Sequence, residues 1–427
     1  MYVCVIGAGY VGLTTAAVLS DIGHNVRCVD KDVEKIENLC LGRVPVHEPG
    51  LSERIVKNCR AGRLDFSKEL VESIEARDLI VIAVGTPSAA NGSPDLTAID
   101  EVTDVLARSI RSYTSILTKS TVPPGTNERI EQSLLEKGLD RALFDVIANP
   151  EFLQEGTAVH DSFHPNKIVV GTKNQKLVDT VRTLYQGIEA PYIVTTFEGA
   201  EMIKYASNAF LATKISFANE LARICDAYHV NVQDVTRGLG TDPRIGPHFL
   251  GSGLGYGGSC LPKDLDALEH AALRKRVIPI LLHSVKTIND SQVDLYTSKL
   301  KQALSGELQD KQITVWGLTF KPNTDDIRSS PAVRLAERLY EKGCRLRTYD
   351  PLAPRLYFEW VRSNDLYESL DGSDALVIAT DWPEFVEADL QKVKEHLKGN
   401  LILDARNCLN ADKVRSHGLR YTGVARG

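Results

Sequence analysis

The sequence predicts an α/β protein built from two Rossmann-like, open parallel-sheet domains joined by a central helical region. Three observations predict it. A G-x-G-x-x-G pattern sits at a strand-to-helix turn near the start of the chain. The same strand–helix–strand plan recurs near its end, and the stretch between carries apolar residues at helical spacing. The 427 residues, 25% charged with a formal net charge of −6, suit two or three soluble domains and exclude collagen-like, coiled-coil and long disordered architectures. A mildly acidic chain also argues against nucleic acid as the main partner, since phosphate binding normally shows a basic surplus.

Residues 2–7 (YVCVIG) read as a short buried strand, residues 11–22 as a helix and residues 25–30 (NVRCVD) as a second strand. Gly7, Gly9 and Gly12 fall at the first turn. Gly7 permits a tight turn, Gly9 lets a pyrophosphate approach the backbone, and Gly12 lets helix and strand pack closely. The phosphates would rest on free N–H groups at the helix N-terminus. Asp30, ending the second strand, is placed to bind ribose hydroxyls and repel a 2′-phosphate, which favours NAD over NADP. Lys31 and Lys35 nearby weigh in the opposite direction.

The apolar N-terminus is not read as a signal peptide, because no Lys or Arg precedes it and its glycines follow the dinucleotide pattern. No stretch offers ~18 consecutive apolar residues, so the expectation is a cytoplasmic protein without membrane insertion.

The plan of the first unit recurs late. Residues 312–317 (QITVWG) and 344–350 (CRLRTYD) read as strands around a helix at 331–342, residues 78–84 (DLIVIAV) are echoed at 374–380 (DALVIAT), and residues 116–120 (ILTKS) at 401–404 (LILD). The second copy keeps Gly317 but lacks the second and third glycines, so its backbone cannot cradle a pyrophosphate in the same way. Between the copies, residues 198–229 predict one long helix. A further helical tract is expected over 265–304, kinked at Pro279. This middle segment can join the halves and build a dimer interface. The expected domains are 1–197, 198–305 and 306–427.

Eight cysteines stand at 4, 28, 40, 59, 225, 260, 344 and 408, none in a C-x-x-C. That spread fits neither a disulfide scaffold nor a zinc site, so most are expected to be reduced and buried. Cys260 differs. It leaves the loop 246–264 (GPHFLGSGLGYGGSCLPKD), whose glycines let a ligand approach the backbone, and the start of a following helix would favour a thiolate. Its expected role is nucleophile. His160 and His164 share i, i+4 spacing without an evident third ligand, and no metal site is expected.

GAGYVG, STVPPGT, NPEFLQEGTA, KYASN, DPRIG, GYGGSCLPKD and GLTFKPNTDDIRSSP follow one another from residue 7 to residue 331. In that order they resemble the UDP-glucose/GDP-mannose dehydrogenase family. The resemblance implies a four-electron oxidation at C6 of a nucleotide sugar, with NAD as cofactor and a thioester on Cys260. GGSC is similar to the branch acting on UDP-glucose, which makes UDP-glucuronate for polysaccharide synthesis; N-acetylhexosaminuronate branches carry GGHC. GDP-mannose or a UDP-N-acetylhexosamine remains an alternative substrate, and a non-catalytic NAD-binding regulator a different class.

The resemblance also implies roles. Lys204 and Asn208, one helical turn apart, would stabilise an oxyanion. Asp264 with Thr121 would order a water for proton removal, and Glu151 would be the base of hydrolysis. NAD would be held by Gly7, Gly9, Tyr10, Val11, Gly12, Asp30, Lys35, Thr86, Thr121, Glu155, Lys263 and Arg328. The UDP-sugar would be held by Glu151, Phe152, Leu153, Gln154 and Glu155, with Lys204, Asn208 and Arg244. Phe249, Leu250, Gly251, Ser252, Gly253, Gly257, Phe320 and Lys321 would complete its site. In relatives Arg244 reaches the neighbouring subunit's site, so a homodimer or higher homo-oligomer is implied.

Overall fold

In a parallel sheet covered on both faces, successive side chains of one strand enter two different cores, so the strand reads as an unbroken apolar run. Strand β1 (Tyr2–Ile6) shows this. It sends Val3 and Val5 into one buried cluster and Cys4 and Ile6 into another. The computed structural model describes residues 1–89, 91–355 and 360–426. The chain divides into two compact units, Met1–Ser207 with Asp266–Arg276 and Asn208–Leu265 with Val277–Gly427.

The first unit holds β1 and β2 (Asn25–Val29), β3 (Leu64–Ser67), β4 (Leu79–Ile82), β5 (Thr114–Thr118), β6 (Phe144–Ala148), β7 (Ile168–Gly171) and β8 (Tyr192–Thr195). Their order across the sheet is β3-β2-β1-β4-β5-β6-β7-β8. The sheet is parallel, as expected, save at one junction: β6 and β7 meet antiparallel, at Ala148 and Gly171. Antiparallel neighbours need no crossover helix. Gly171 leaves room at this junction: a Cβ there would lie 3.1 Å from the Ala148 side chain of β6 and 2.6 Å from the Thr196 carbonyl oxygen. The strand expected at 116–120 is β5 at 114–118, so Lys119 and Ser120 lie past its end, in the loop.

The second unit holds β9 (Gln312–Trp316), β10 (Arg345–Tyr349), β11 (Val361–Arg362), β12 (Ala375–Ile378), β13 (Leu401–Asp404) and β14 (Arg420–Thr422). All pair in parallel, in the order β11-β10-β9-β12-β13-β14. The first six strands of one sheet and the six of the other thus share a 3-2-1-4-5-6 order. In such sheets ligands bind beyond the carboxyl ends of the strands, where the order reverses between β1 and β4 or between β9 and β12.

The long central helix forms as expected, over Phe197–Ala227. The tract after it is not one kinked helix but three, Leu261–Arg274, Ile280–Asp290 and Gln292–Ala303. The first break carries Arg276 at φ +61° and ends at Pro279, which caps the next helix. A further helix, Val232–Gly240, starts where the Asn231 side chain accepts from the Gln233 amide. Among the described residues, no helix is long and apolar enough to cross a membrane.

Candidate active site

At the first turn each glycine has its own reason. Gly7 takes φ +106°, and a Cβ there would lie 2.6 Å from the Ala83 carbonyl oxygen. A Cβ on Gly12 would lie 1.7 Å from the Gly7 oxygen, whereas Gly9 has nothing within 4 Å. Helix Tyr10–Ile22 begins at Gly9 without a side-chain cap. The first N–H groups, those of Tyr10 and Val11 included, are thus left for an anion. These residues fit NAD.

Asp30 does more than face a ribose. Its carboxylate accepts from the Ala8 amide (2.8 Å), the Asp32 amide (3.0 Å) and Lys35 Nζ (3.1 Å). Burial raises its pKa, but these bonds outweigh it and hold the group below the usual range. Lys35 therefore sits on Asp30, and Lys31 pairs with Glu101 at 3.0 Å. Thr86 donates to the Thr121 carbonyl oxygen at 2.8 Å, which joins two of the expected cofactor residues. The Tyr10 hydroxyl donates to Glu48, which also takes the Gly156 amide at 2.6 Å. Buried Glu48 was not legible in the sequence.

Glu151 and Lys204 are 5% and 3% exposed and form an ion pair at 2.9 Å. Burial pushes the Glu151 carboxyl up, but the Lys204 ammonium outweighs it and keeps the group below the usual range. Glu151 also accepts from the Leu153 amide at 2.5 Å. The Phe152 ring lies 5.4 Å from Lys204 Nζ and 4.4 Å from Lys167 Nζ. Gln154 is exposed and its amide donates to Asp161, while Glu155 is half-buried.

In the second unit, Asn208 Nδ2 donates to Asp264 at 2.5 Å and Lys263 Nζ donates to its other oxygen at 2.5 Å. Cys260 lies half-buried immediately before helix Leu261–Arg274, and its carbonyl accepts the Asp264 amide. The glycine run has a packing reason that the sequence did not reveal. A Cβ on Gly257 would meet the Ser329 oxygen at 2.4 Å, on Gly258 the Phe320 ring at 2.7 Å, on Gly255 Asn289 Oδ1 at 2.5 Å, and on Gly253 the Ala405 oxygen at 3.0 Å. Gly251 alone of these five is open. The run thus lets other protein segments approach the backbone at four of its glycines.

Leu250 and Ser252 are buried, and Ser252 accepts from Asn407 at 3.0 Å. Phe249 is held at φ +63°. Lys321 lies 5.8 Å from the Phe320 ring, and Arg328 makes a two-pronged pair with Asp326. Arg244 is 87% exposed and folds onto Asp242. Arg406, which no motif indicated, donates to the Gly255 carbonyl oxygen and to Asp381, both at 3.2 Å.

Burial raises the thiol pKa of Cys4 to about 12 and of Cys344 to about 11, and also pushes Cys28 and Cys408 up. These are poor nucleophiles at neutral pH. Among the described residues, no group of three His, Cys, Asp or Glu side chains could hold a metal.

An uncapped helix over a glycine turn, on a sheet of this strand order, fits a dinucleotide, and with the relatives that follow the class is an NAD-dependent oxidoreductase. The chain belongs to the UDP-glucose/GDP-mannose dehydrogenase family, matching its NAD binding domain over residues 1–189, its central domain over 198–291 and its UDP binding domain over 314–411. A Bacillus subtilis protein named as a putative UDP-glucose 6-dehydrogenase is 49% identical over the whole of both chains. A second, named UDP-glucose 6-dehydrogenase, is 41% identical over all of this chain and 98% of its own. The solved UDP-glucose dehydrogenase of the archaeon Pyrobaculum islandicum superposes with a TM-score of 0.92 at 35% identity, covering 100% of this chain and 98% of that one. The protein is therefore a UDP-sugar dehydrogenase.

Proposed function

We propose that the chain oxidises UDP-glucose at C6 to UDP-glucuronate in two successive NAD-dependent steps, with Cys260 as nucleophile. The observation that carries the reading is the placement of this thiol. Cys260 stands half-buried at a helix start, in a loop packed on Phe320 and Ser329 of the UDP-binding domain, whereas Cys4, Cys28, Cys225 and Cys344 are sealed in cores. A plain alcohol dehydrogenase needs no such thiol.

NAD, when bound at Gly7–Gly12 with Asp30, Lys35, Thr86, Thr121, Glu155, Lys263 and Arg328, supplies hydride acceptance. Asp264 and Thr121 order the water that takes the C6 hydroxyl proton. The Cys260 thiolate adds to the resulting aldehyde, and the thiohemiacetal is oxidised to a thioester. Water then adds to the thioester carbonyl, its proton passes to Glu151, and the C–S bond breaks to release the thiolate and the carboxylate. Lys204 and Asn208 stabilise the oxyanions. At rest both donors are held by carboxylates, Glu151 and Asp264, so each adduct takes over hydrogen bonds already pointed. Phe320 and Lys321, with residues 249–253 and Gly257, hold the UDP-sugar.

A second copy completes this reading. Phe210, Phe217 and Ile224 are 65%, 51% and 52% exposed at seven-residue spacing on the central helix, which supports a homodimer through that face, with Arg244 reaching the partner's site. Supply of uronate for polysaccharide synthesis in the cytoplasm follows from the same reading.

The test is stoichiometric. Two NADH per UDP-glucose supports the full sequence; one means a plain alcohol dehydrogenase; turnover of GDP-mannose or UDP-N-acetylglucosamine alone changes the substrate. Cys260→Ala is expected to abolish uronate formation, and undiminished production would remove Cys260 from the mechanism.

A further inference from the structure

We propose that Lys119 is a positioning residue for Glu151, keeping its carboxylate ionised and aligned when Lys204 turns from it to the oxyanion. This rests on the reading of Glu151 as the base of thioester hydrolysis.

Lys119 is only 9% exposed, at the first position past β5. Its Nζ donates to Asn149 Oδ1 at 3.1 Å and to the Tyr185 hydroxyl at 2.9 Å. That hydroxyl donates to the same Asn149 oxygen at 2.7 Å, and Asn149 Nδ2 donates to the Val169 carbonyl at 2.7 Å. Both acceptors of the lysine are neutral. A buried ammonium held only by neutral groups is costly unless a carboxylate shares its low-dielectric surroundings.

A cavity of about 90 Å³ within the first unit supplies that relation. Lys119, Asn149, Tyr185 and Glu151 all line it, together with Asp161, His164 and Lys167. Asp161 and Lys167 are half-exposed and His164 is exposed. Asp161 already accepts from the Gln154 amide and the Thr157 hydroxyl, and Lys167 sits over Phe152. The buried opposite charges on this cavity are therefore Lys119 and Glu151. Asn149 lies two residues before Glu151, so the lysine network also fixes the chain that carries the carboxylate.

The chemistry requires a second cation. Lys204 is the direct ion-pair partner of Glu151. Once that ammonium serves an oxyanion, burial alone would drive Glu151 to bind a proton before water attacks. Lys119 shares the cavity with the carboxylate, held there by Asn149 and Tyr185, and it already contributes to holding Glu151 below the ordinary carboxylate range.

The experiment uses the full chain with NAD and UDP-glucose, and follows acyl-enzyme formation and hydrolysis in single turnovers from pH 4 to 9. With Lys119→Met the acid limb of hydrolysis is expected to move up by about one pH unit, and thioester to accumulate, while the KM for UDP-glucose stays put. Lys119→Arg should restore most of the profile. Tyr185→Phe, which leaves the charge but frees the ammonium on one side, should move the limb the same way by about a third as much; it covers the case in which Lys119→Met does not fold. A wild-type acid limb in Tyr185→Phe, or in a folded Lys119→Met, overturns the proposal. If the wild-type protein yields one NADH per sugar and no acyl-enzyme, the thioester reading itself fails and takes this one with it.

Discussion

The two α/β units share a strand order and differ at the turn after their first strand. Gly7 and Gly317 are alike: both take a positive φ, and at each a Cβ would run into the strand-end segment after β4 or β12. Beyond them the units part. In the first, the helix starts two residues later at an uncapped glycine. In the second, twelve residues intervene before Ser330, whose hydroxyl caps helix Pro331–Glu341 by accepting from Ala332 and Val333. The acidic residue ending the second strand follows suit. Asp30 accepts one bond from the turn and two from its own side, whereas Asp350 accepts from Leu318, Thr319, Leu352 and Ala353. The lesson is that a dinucleotide site is a set of N–H groups the protein declines to satisfy. Where the protein satisfies them itself, as at Asp350 and Ser330, no such cradle is left.

The strongest way to break this comparison is Gly12→Val, whose side chain has no room against the Gly7 carbonyl. Loss of the folded first unit and of all NADH binding is expected, read by circular dichroism and by NADH fluorescence. Next comes the capping of helix Thr126–Glu136, which the first unit draws from far away: buried Glu201 accepts from the Gly125 and Asn127 amides and from Asn127 Nδ2. Burial raises its pKa to about 7, despite those bonds. A raised acid makes the folded state bind a proton that the unfolded chain does not, so its stabilisation is present below pH ~4.5 and is lost as pH rises through 7. Glu201→Gln is free of that loss. Its stability relative to wild type should climb by about 3 kcal/mol between pH 4.5 and 8, measured by urea melts; a flat difference would remove Glu201 as the titrating group.

Gly9→Ala sharpens the contrast. With open space around it, the methyl should leave the melting temperature within about 2 °C yet weaken NADH binding at least tenfold, about 1.4 kcal/mol. Unchanged binding would mean that the phosphates lie elsewhere. The smallest effect belongs to Ser330→Ala, which should cost about 1 kcal/mol of stability and leave NADH affinity alone.

Long apolar strands and the glycine turn were legible in the sequence because each follows a local rule. The short strands β3, β6, β7, β8, β11 and β14 lie outside the strands the sequence predicts. Some carry little apolar signal, such as LDFS in β3 and RYT in β14, and half-exposed YIVT in β8 has no clean alternation. The motif residues Lys204, Glu151, Asn208 and Asp264 were named from the resemblance, but not their resting partners. The second ring was invisible for a physical reason. Glu48 serves Tyr10 from 38 positions away, Glu201 reaches Asn127 across 74, and Lys119 meets Tyr185 across 66. Such partners are chosen by the folded sheet, and a single sequence holds no local trace of them. The glycines of 251–258 were legible as special but not as packing positions, because the groups that crowd them come from Asn289 onward.

The sealed thiols also make the molecule its own clock. Cys4 and Cys28 lie in the two cores of the first sheet, and Cys225 and Cys344 in a core of the second unit. Alkylation at these positions must wait for the surrounding unit to open. A pulse of reagent, followed by mass spectrometry of the two peptide sets, would time the opening of each unit separately, with no label introduced.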